Sequence, residues 1–211
     1  MNDSSRDVLG AVERYYTAKL MAHGPSAPGV DWNDEASQRT RFEQLARVIS
    51  APEPFSVNDL GCGYGALFAF LTERFADFAY SGVDISEAMI RAAVSRFGAD
   101  SRSRFSVGAA CPEPADYTVA SGIFNVRLQT DQSRWQQHAL EVLDRMSEAS
   151  RRGFAFNCLT AYSDPGKTRP DLFYADPCAL FDHCKRRHAR NVALLHDYGL
   201  YEFTLIVRKD A

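Results

Sequence analysis

The chain has 211 residues, 45% hydrophobic and 24% charged. That is one ordinary domain with a real core, and it excludes a multidomain machine, a disordered segment and a collagenous or disulfide-stapled chain. A formal net charge of −3 gives no global attraction to nucleic acid or to an anionic membrane, so partners have to be argued from sites.

The opening residues lack a basic stretch followed by an apolar one, and no segment approaches the roughly 18 apolar residues of a spanning helix. A cytoplasmic protein without a membrane anchor is expected. Five dispersed cysteines suit a reducing compartment with free thiols. Residues 4 to 22 place Val8, Val12, Tyr15, Tyr16, Leu20 and Met21 at helical spacing, capped by Ser4 or Ser5 and stopped by Gly24. After the Pro-Gly punctuation of residues 24 to 29, a second helix is predicted to start near Asn33. It carries Asp34 and Glu35 in its first turn and buries Phe42, Leu45, Ala46 and Ile49.

Beyond Pro52-Glu53-Pro54 the pattern changes to alternating strands and helices. The predicted order is strand 55–60, helix 64–75, strand 80–84, helix 86–97, strand 104–108, strand 117–121, helix 131–151 and strand 154–158. Such alternation specifies a parallel, doubly wound α/β sheet. A helix capped by Asp176 with Pro177 at its first position then precedes 191–196 and 201–208. So few residues separate these last two strands that they must pair as an antiparallel hairpin.

The most informative stretch runs Asp59-Leu60-Gly61-Cys62-Gly63-Tyr64-Gly65 and opens directly into a helix. Glycines at alternate positions let the backbone turn tightly and let a ligand lie against it. At the tip of the second strand stands Asp84, placed to accept hydrogen bonds from both ribose hydroxyls of a nucleoside. Gly61-x-Gly63-x-x-Ala66 would also pass as a dinucleotide fingerprint. Asp59, however, suits a cationic amino-acid tail better than a pyrophosphate, because a carboxylate beside a phosphate is repulsive. The third glycine and the terminal hairpin point the same way.

On these residues the chain resembles the class I S-adenosylmethionine-dependent methyltransferases from about Phe55 onward. The resemblance implies a doubly wound seven-stranded sheet with the last strand antiparallel, preceded by a helical N-terminal lid. The lid is assigned to residues 1–52 and the cofactor-binding domain to residues 53–211. It implies that Asp59 faces the ammonium of S-adenosylmethionine, that Gly61, Cys62 and Gly63 present backbone to its methionine and ribose parts, and that Asp84 holds the ribose with Ile85 beside the adenine. Ser121 and Gly122 would flank the methionyl group and the methyl. Many family members carry an acidic residue after the third strand to bind the adenine amine, whereas this chain reads Gly108-Ala109-Ala110.

Methyl transfer from a sulfonium is an in-line displacement that requires alignment more than a base, so no catalytic residue is assigned. The Asn/Asp-Pro-Pro-aromatic tetrapeptide of enzymes that methylate planar nitrogens is absent after the fourth strand. Lid residues Tyr16 and Lys19 are candidates to close on the cofactor. Trp32 is a candidate for the acceptor pocket, as are Asn125, Asn157, Tyr162 and Tyr174, because the 159–175 linker is long enough to be functional.

Cys178, His183, Cys184 and His188 invite a zinc reading, but Cys178 and Cys184 fall about 240 degrees apart around a helix, so no metal is assigned. The basic run Lys185 to Arg190 reads as a solvated helix end rather than a nucleic-acid patch. The expected activity is methylation of an oxygen or nitrogen of a small soluble metabolite. Alternatives are a methyltransferase acting on RNA or protein and a non-catalytic cofactor-binding protein.

Overall fold

The computed structural model describes residues 3–50 and 52–209, with side chains from Val8 onward. Helix α1 (Asp3–His23) begins ahead of Ser4 and Ser5, whose side chains lie outside the described residues. A 3-10 turn (Pro28–Val30) and helix α2 (Glu35–Ala46) follow. Asp34 is the N-cap of α2 rather than part of its first turn, its carboxylate accepting the Ser37 N–H at 2.6 Å. Ile49 lies beyond the helix end.

The sheet strands are β1 (Phe55–Leu60), β2 (Phe78–Asp84), β3 (Ser103–Val107), β4 (Ala115–Ala120), β5 (Ser150–Thr160), β6 (Tyr174–Ala175), β7 (Asn191–Leu195) and β8 (Glu202–Arg208). Between them run α3 (Ala66–Thr72), α4 (Glu87–Phe97), α5 (Gln132–Glu148) and α6 (Pro177–Arg187). The order across the sheet is β3-β2-β1-β4-β5-β8-β7. Strands β1 to β5 run parallel, while β8 is antiparallel to both β5 and β7.

Seven strands form the continuous path, as expected. The eighth, β6, pairs with the end of β5 through Leu159 and Thr160. Two residues are too few to show a period of two in the sequence, where this stretch reads as loop. No helix spans the seven residues between β3 and β4.

Residues that alternate along β5 and β8 divide the core into two faces, as the pleat requires. Phe154, Phe156, Phe203 and Leu205 pack with α5, α6 and Val12 of α1. Ala155 and Ile206 pack with Phe42 and Leu45 of α2 and with Leu67, Phe68 and Leu71 of α3. The chain leaves β1 toward β2 and β3 on one side and returns to β4 and β5 on the other, so the order reverses beside β1. Crevices in doubly wound sheets open at such a reversal, beyond the carboxyl ends of the strands.

Candidate active site

A cavity of about 130 Å³ opens at that reversal. Its floor is the loop from Asp59 to Tyr64, together with Asp84 and Ile85 from β2 and Ser121, Gly122 and Ile123 from the end of β4. Parallel register sets Leu60 beside Val83, and the carbonyl of Val83 accepts the N–H groups of both Gly61 and Cys62 at 2.7 and 3.0 Å. The loop is therefore pinned to the neighbouring strand. Gly61 has φ +78°, and a Cβ there would lie 2.2 Å from Ile123 Cγ2. Only glycine meets both conditions without strain.

Asp84 ties the floor together. Its Oδ2 accepts the Gly63 N–H at 2.9 Å and its Oδ1 the Ser86 N–H at 2.8 Å. Each oxygen retains a lone pair for a ligand hydroxyl. Burial raises the Asp84 carboxyl above the usual carboxylate range, against the pull of these two backbone donors. Asp59 is 2% exposed and accepts the Tyr80 hydroxyl at 2.6 Å. Burial pushes its carboxyl up to about 7, the Tyr80 bond opposes this, and the charge of Asp84 adds to it. A cation beside it would favour its charged form at neutral pH. The Cys62 thiol is likewise pushed well up by burial and is inert as a nucleophile.

The roof comes from the N-terminal helices. Leu9, Val12 and Tyr16 form one stripe of α1 facing the cavity, and Val30, Trp32, Gln38 and Phe42 complete it. The Tyr16 hydroxyl is raised by burial, then by Asp31, Tyr15 and Asp84, so it stays a hydrogen-bond donor. Trp32 is held from behind: the Arg41 guanidinium sits 3.8 Å from its ring centroid. Arg41 binds Glu202 in bidentate fashion, Nε to Oε2 at 2.9 Å and one terminal nitrogen to Oε1 at 2.6 Å. Glu202 in turn accepts from Asn157 Nδ2, and Asn157 Oδ1 accepts the Gly122 N–H at 2.8 Å. One buried polar chain thus ties the roof to the end of β4. Gly122, at φ +74°, leaves room for Trp32, whose Cζ2 would be 2.5 Å from a Cβ there.

The far wall is α5, which contributes Trp135, His138, Val142 and Arg145. Burial, then the charge of Arg145, lowers the His138 imidazole below its usual value, so it is neutral at pH 7. His138 and Arg145 are not among the candidates that the sequence singles out. Trp135 and Val142 of α5 also belong to the core, whereas His138 and Arg145 are polar residues of that helix that line the cavity.

Nine of the ten cofactor candidates line the cavity: Asp59, Gly61, Cys62, Gly63, Asp84, Ile85, Ser121, Gly122 and Tyr16. Lys19 does not. Its ammonium pairs with Asp31 at 2.6 Å, alongside the Tyr15 hydroxyl at 2.7 Å. Of the acceptor candidates, Trp32 alone lines the cavity. Asn157 is committed to the chain just described. Asn125 Oδ1 accepts the Leu159 N–H at 3.3 Å, fastening the segment after β4 to β5. Tyr174 accepts the Arg169 N–H at 2.9 Å, and Tyr162 is exposed beside His196. Burial makes the asparagines braces, and neither loop tyrosine reaches the cavity.

The basic run at the end of α6 is spent internally. Arg186 pairs with Asp182, Arg187 with Asp144, and Lys185 donates to the Arg190 carbonyl. Arg127 gives its guanidinium to the carbonyls of Leu172, Thr130 and Pro170. Among the described residues no helix is long and apolar enough to cross a membrane.

Comparison with known proteins agrees with this geometry. A family model described as a methyltransferase domain matches residues 57–153. A Mycobacterium tuberculosis protein named as a methyltransferase, Rv1506c, is 57% identical over 163 residues, covering 77% of this chain and 98% of its own. The trans-aconitate 2-methyltransferase of Acidovorax ebreus is 48% identical over 62 residues, 28% of this chain and 24% of that one. Among solved structures, human N-acetylserotonin methyltransferase in complex with S-adenosylmethionine superposes with a TM-score of 0.64 at 15% identity, covering 97% of this chain and 59% of that chain. That likeness establishes the fold. With a relative this similar over nearly its entire length and a glycine loop at the reversal of strand order, the chain belongs to the class I S-adenosylmethionine-dependent methyltransferase family.

Proposed function

We propose that the protein transfers a methyl group from S-adenosylmethionine to an oxygen or nitrogen of a small soluble metabolite. The carrying observation is that one cavity joins the glycine-loop floor to an apolar roof and wall, with few polar groups inside it. This is the concave, mostly apolar form of small-molecule sites. The name of the trans-aconitate 2-methyltransferase, a partial relative, points to the same class of acceptor.

Two features fit this cofactor. Ser121 Oγ is buried against the cavity without a hydrogen-bond partner, a deficit that costs about 1–3 kcal/mol until a ligand supplies one. Asp59, poised near neutrality by burial, regains its charge beside an ammonium. When bound, the cofactor supplies a methyl carbon made electrophilic by its sulfonium. Asp84 would accept the ribose hydroxyls while keeping Gly63 in place, and the glycine loop would present bare backbone to the methionine portion. Trp32 and Tyr16 would exclude water from above, with the aromatic face of Trp32 a favourable neighbour for a sulfonium. His138, neutral at pH 7, is the cavity's one imidazole and can accept a proton or a hydrogen bond.

Residues 1–52 act in this reading as a lid that belongs to the site, and the five free cysteines fit a reducing cytoplasm. The test is to incubate the enzyme and methyl-labelled cofactor with fractionated cell extract. Label is expected in the low-mass fraction. Label confined to RNA or protein would replace the metabolite reading with a macromolecular one.

A further inference from the structure

We infer that Asp144, His183 and His188 form a binding site for a single Zn2+ ion that clamps α6 to α5. The site lies outside the catalytic cleft. Asp144 sits on α5; His183 is on α6 and His188 caps its C-terminal end. The three ligand atoms lie within 4.8 Å of one another. His188 Nε2 is 3.4 Å from Asp144 Oδ1 and His183 Nε2 is 4.0 Å from it. Bonds of about 2.0–2.1 Å at tetrahedral angles put neighbouring ligand atoms roughly 3.4 Å apart, so modest side-chain movement closes the set.

The observation that demands an occupant is the state of the imidazoles. His183 Nε2 and His188 Nε2 are both buried without a hydrogen-bond partner. The His188 side chain is only 4% exposed. Two orphaned nitrogens aimed at one carboxylate are costly, and a proton or a metal ion can relieve them.

The surroundings fit a metal. Arg187 donates to Asp144 from Nε at 3.1 Å and from a terminal nitrogen at 3.3 Å, the kind of outer contact that orients a ligating carboxylate. The other nearby cation, Lys209, is engaged by the carbonyls of Ser147 and Ser150. Two imidazoles and one carboxylate, completed by a water, suit Zn2+ or Co2+ rather than Mg2+ or Ca2+.

The sequence argued against a Cys–His cluster because Cys178 and Cys184 point apart. The fold supplies the missing ligand from a helix some forty residues earlier and needs no thiol. Clamping α6 to α5 with an ion that binds the native chain raises its stability by mass action.

The test uses the tag-free, EDTA-treated full chain titrated with ZnCl2 by calorimetry and thermal unfolding. One equivalent should bind and raise the unfolding midpoint. Asp144→Asn and His188→Ala should each weaken binding by roughly 100-fold or more, while Cys178→Ser leaves it unchanged. Co2+ should give tetrahedral visible bands without a thiolate charge-transfer band. The inference is overturned by an unchanged wild-type midpoint in Zn2+, by binding that survives in Asp144→Asn and His188→Ala, or by a thiolate band. The wild-type titrations hold even if a variant fails to fold, and none of these readouts depends on methyl transfer.

Discussion

The floor of the cleft is drawn largely from one unbroken segment, Asp59 to Tyr64, joined to the tips of β2 and β4. Its roof and far wall are gathered from α1, the 3-10 turn, α2 and α5, which are scattered from Leu9 to Arg145. In the floor, backbone conformation does the selecting: the positive φ of Gly61 and the shared Val83 carbonyl leave little choice of residue. In the roof, side chains do it, and they do so through partners far away in the chain. Arg41 reaches Glu202 across 161 positions, and Glu202 reaches Gly122 through Asn157.

The largest expected effect comes from cutting the link between the two. Arg41 and Glu202 are 8% and 1% exposed, so Arg41→Met leaves a buried carboxylate without its cation. A loss of about 3–5 kcal/mol in urea denaturation is expected. Adding Glu202→Leu should recover most of it. A loss within about 1 kcal/mol for the single variant would mean that roof and floor are not joined through this pair.

A floor residue gives the next effect, with the opposite sign. Because the folded Asp59 carboxyl is raised from 3.8 to about 7, the folded state holds a proton that the unfolded state releases. Stability therefore falls as pH rises from about 4 to 7 and stays low above. Asp59→Asn should stabilise the free protein by about 2 to 4 kcal/mol near pH 8, and the gap should close near pH 4. A gap that does not change with pH would remove the charge argument for this site.

The contrast also explains what was legible beforehand. The Asp59 to Gly65 spacing and Asp84 are local signals, since the chemistry and the backbone shape reside in neighbouring residues. The terminal hairpin was legible for a similar reason, because a short connection forces β7 and β8 antiparallel. Asn125 and Asn157 show the limit: polarity on a strand end announces a hydrogen bond but not whether its partner is a ligand or the protein. His138 and Arg145 were hidden because nothing local to α5 distinguishes a polar side chain that faces a cavity from one that faces solvent. Asp144 was hidden among ordinary helix-surface charges until α6 folded against it.

If the roof closes on a finished floor, amide hydrogen exchange in residues 8–32 should slow in saturating S-adenosylhomocysteine, while β1, already buried in the sheet, changes little. Unchanged exchange in 8–32 would make the roof a fixed wall rather than a lid.

Cofactor binding in this protein depends on the glycine loop and Asp84 forming a nucleoside site for S-adenosylmethionine. Titration calorimetry of the purified protein with S-adenosylhomocysteine and with NAD, repeated with Asp84→Ala after its fold is checked by circular dichroism, tests it most directly. S-adenosylhomocysteine should bind at one site and NAD not at all, and the variant should lose about 1.5–3 kcal/mol of affinity, the scale of a charge-assisted hydrogen bond. Binding of NAD alone, or S-adenosylhomocysteine affinity untouched by the loss of the Asp84 carboxylate, would contradict it.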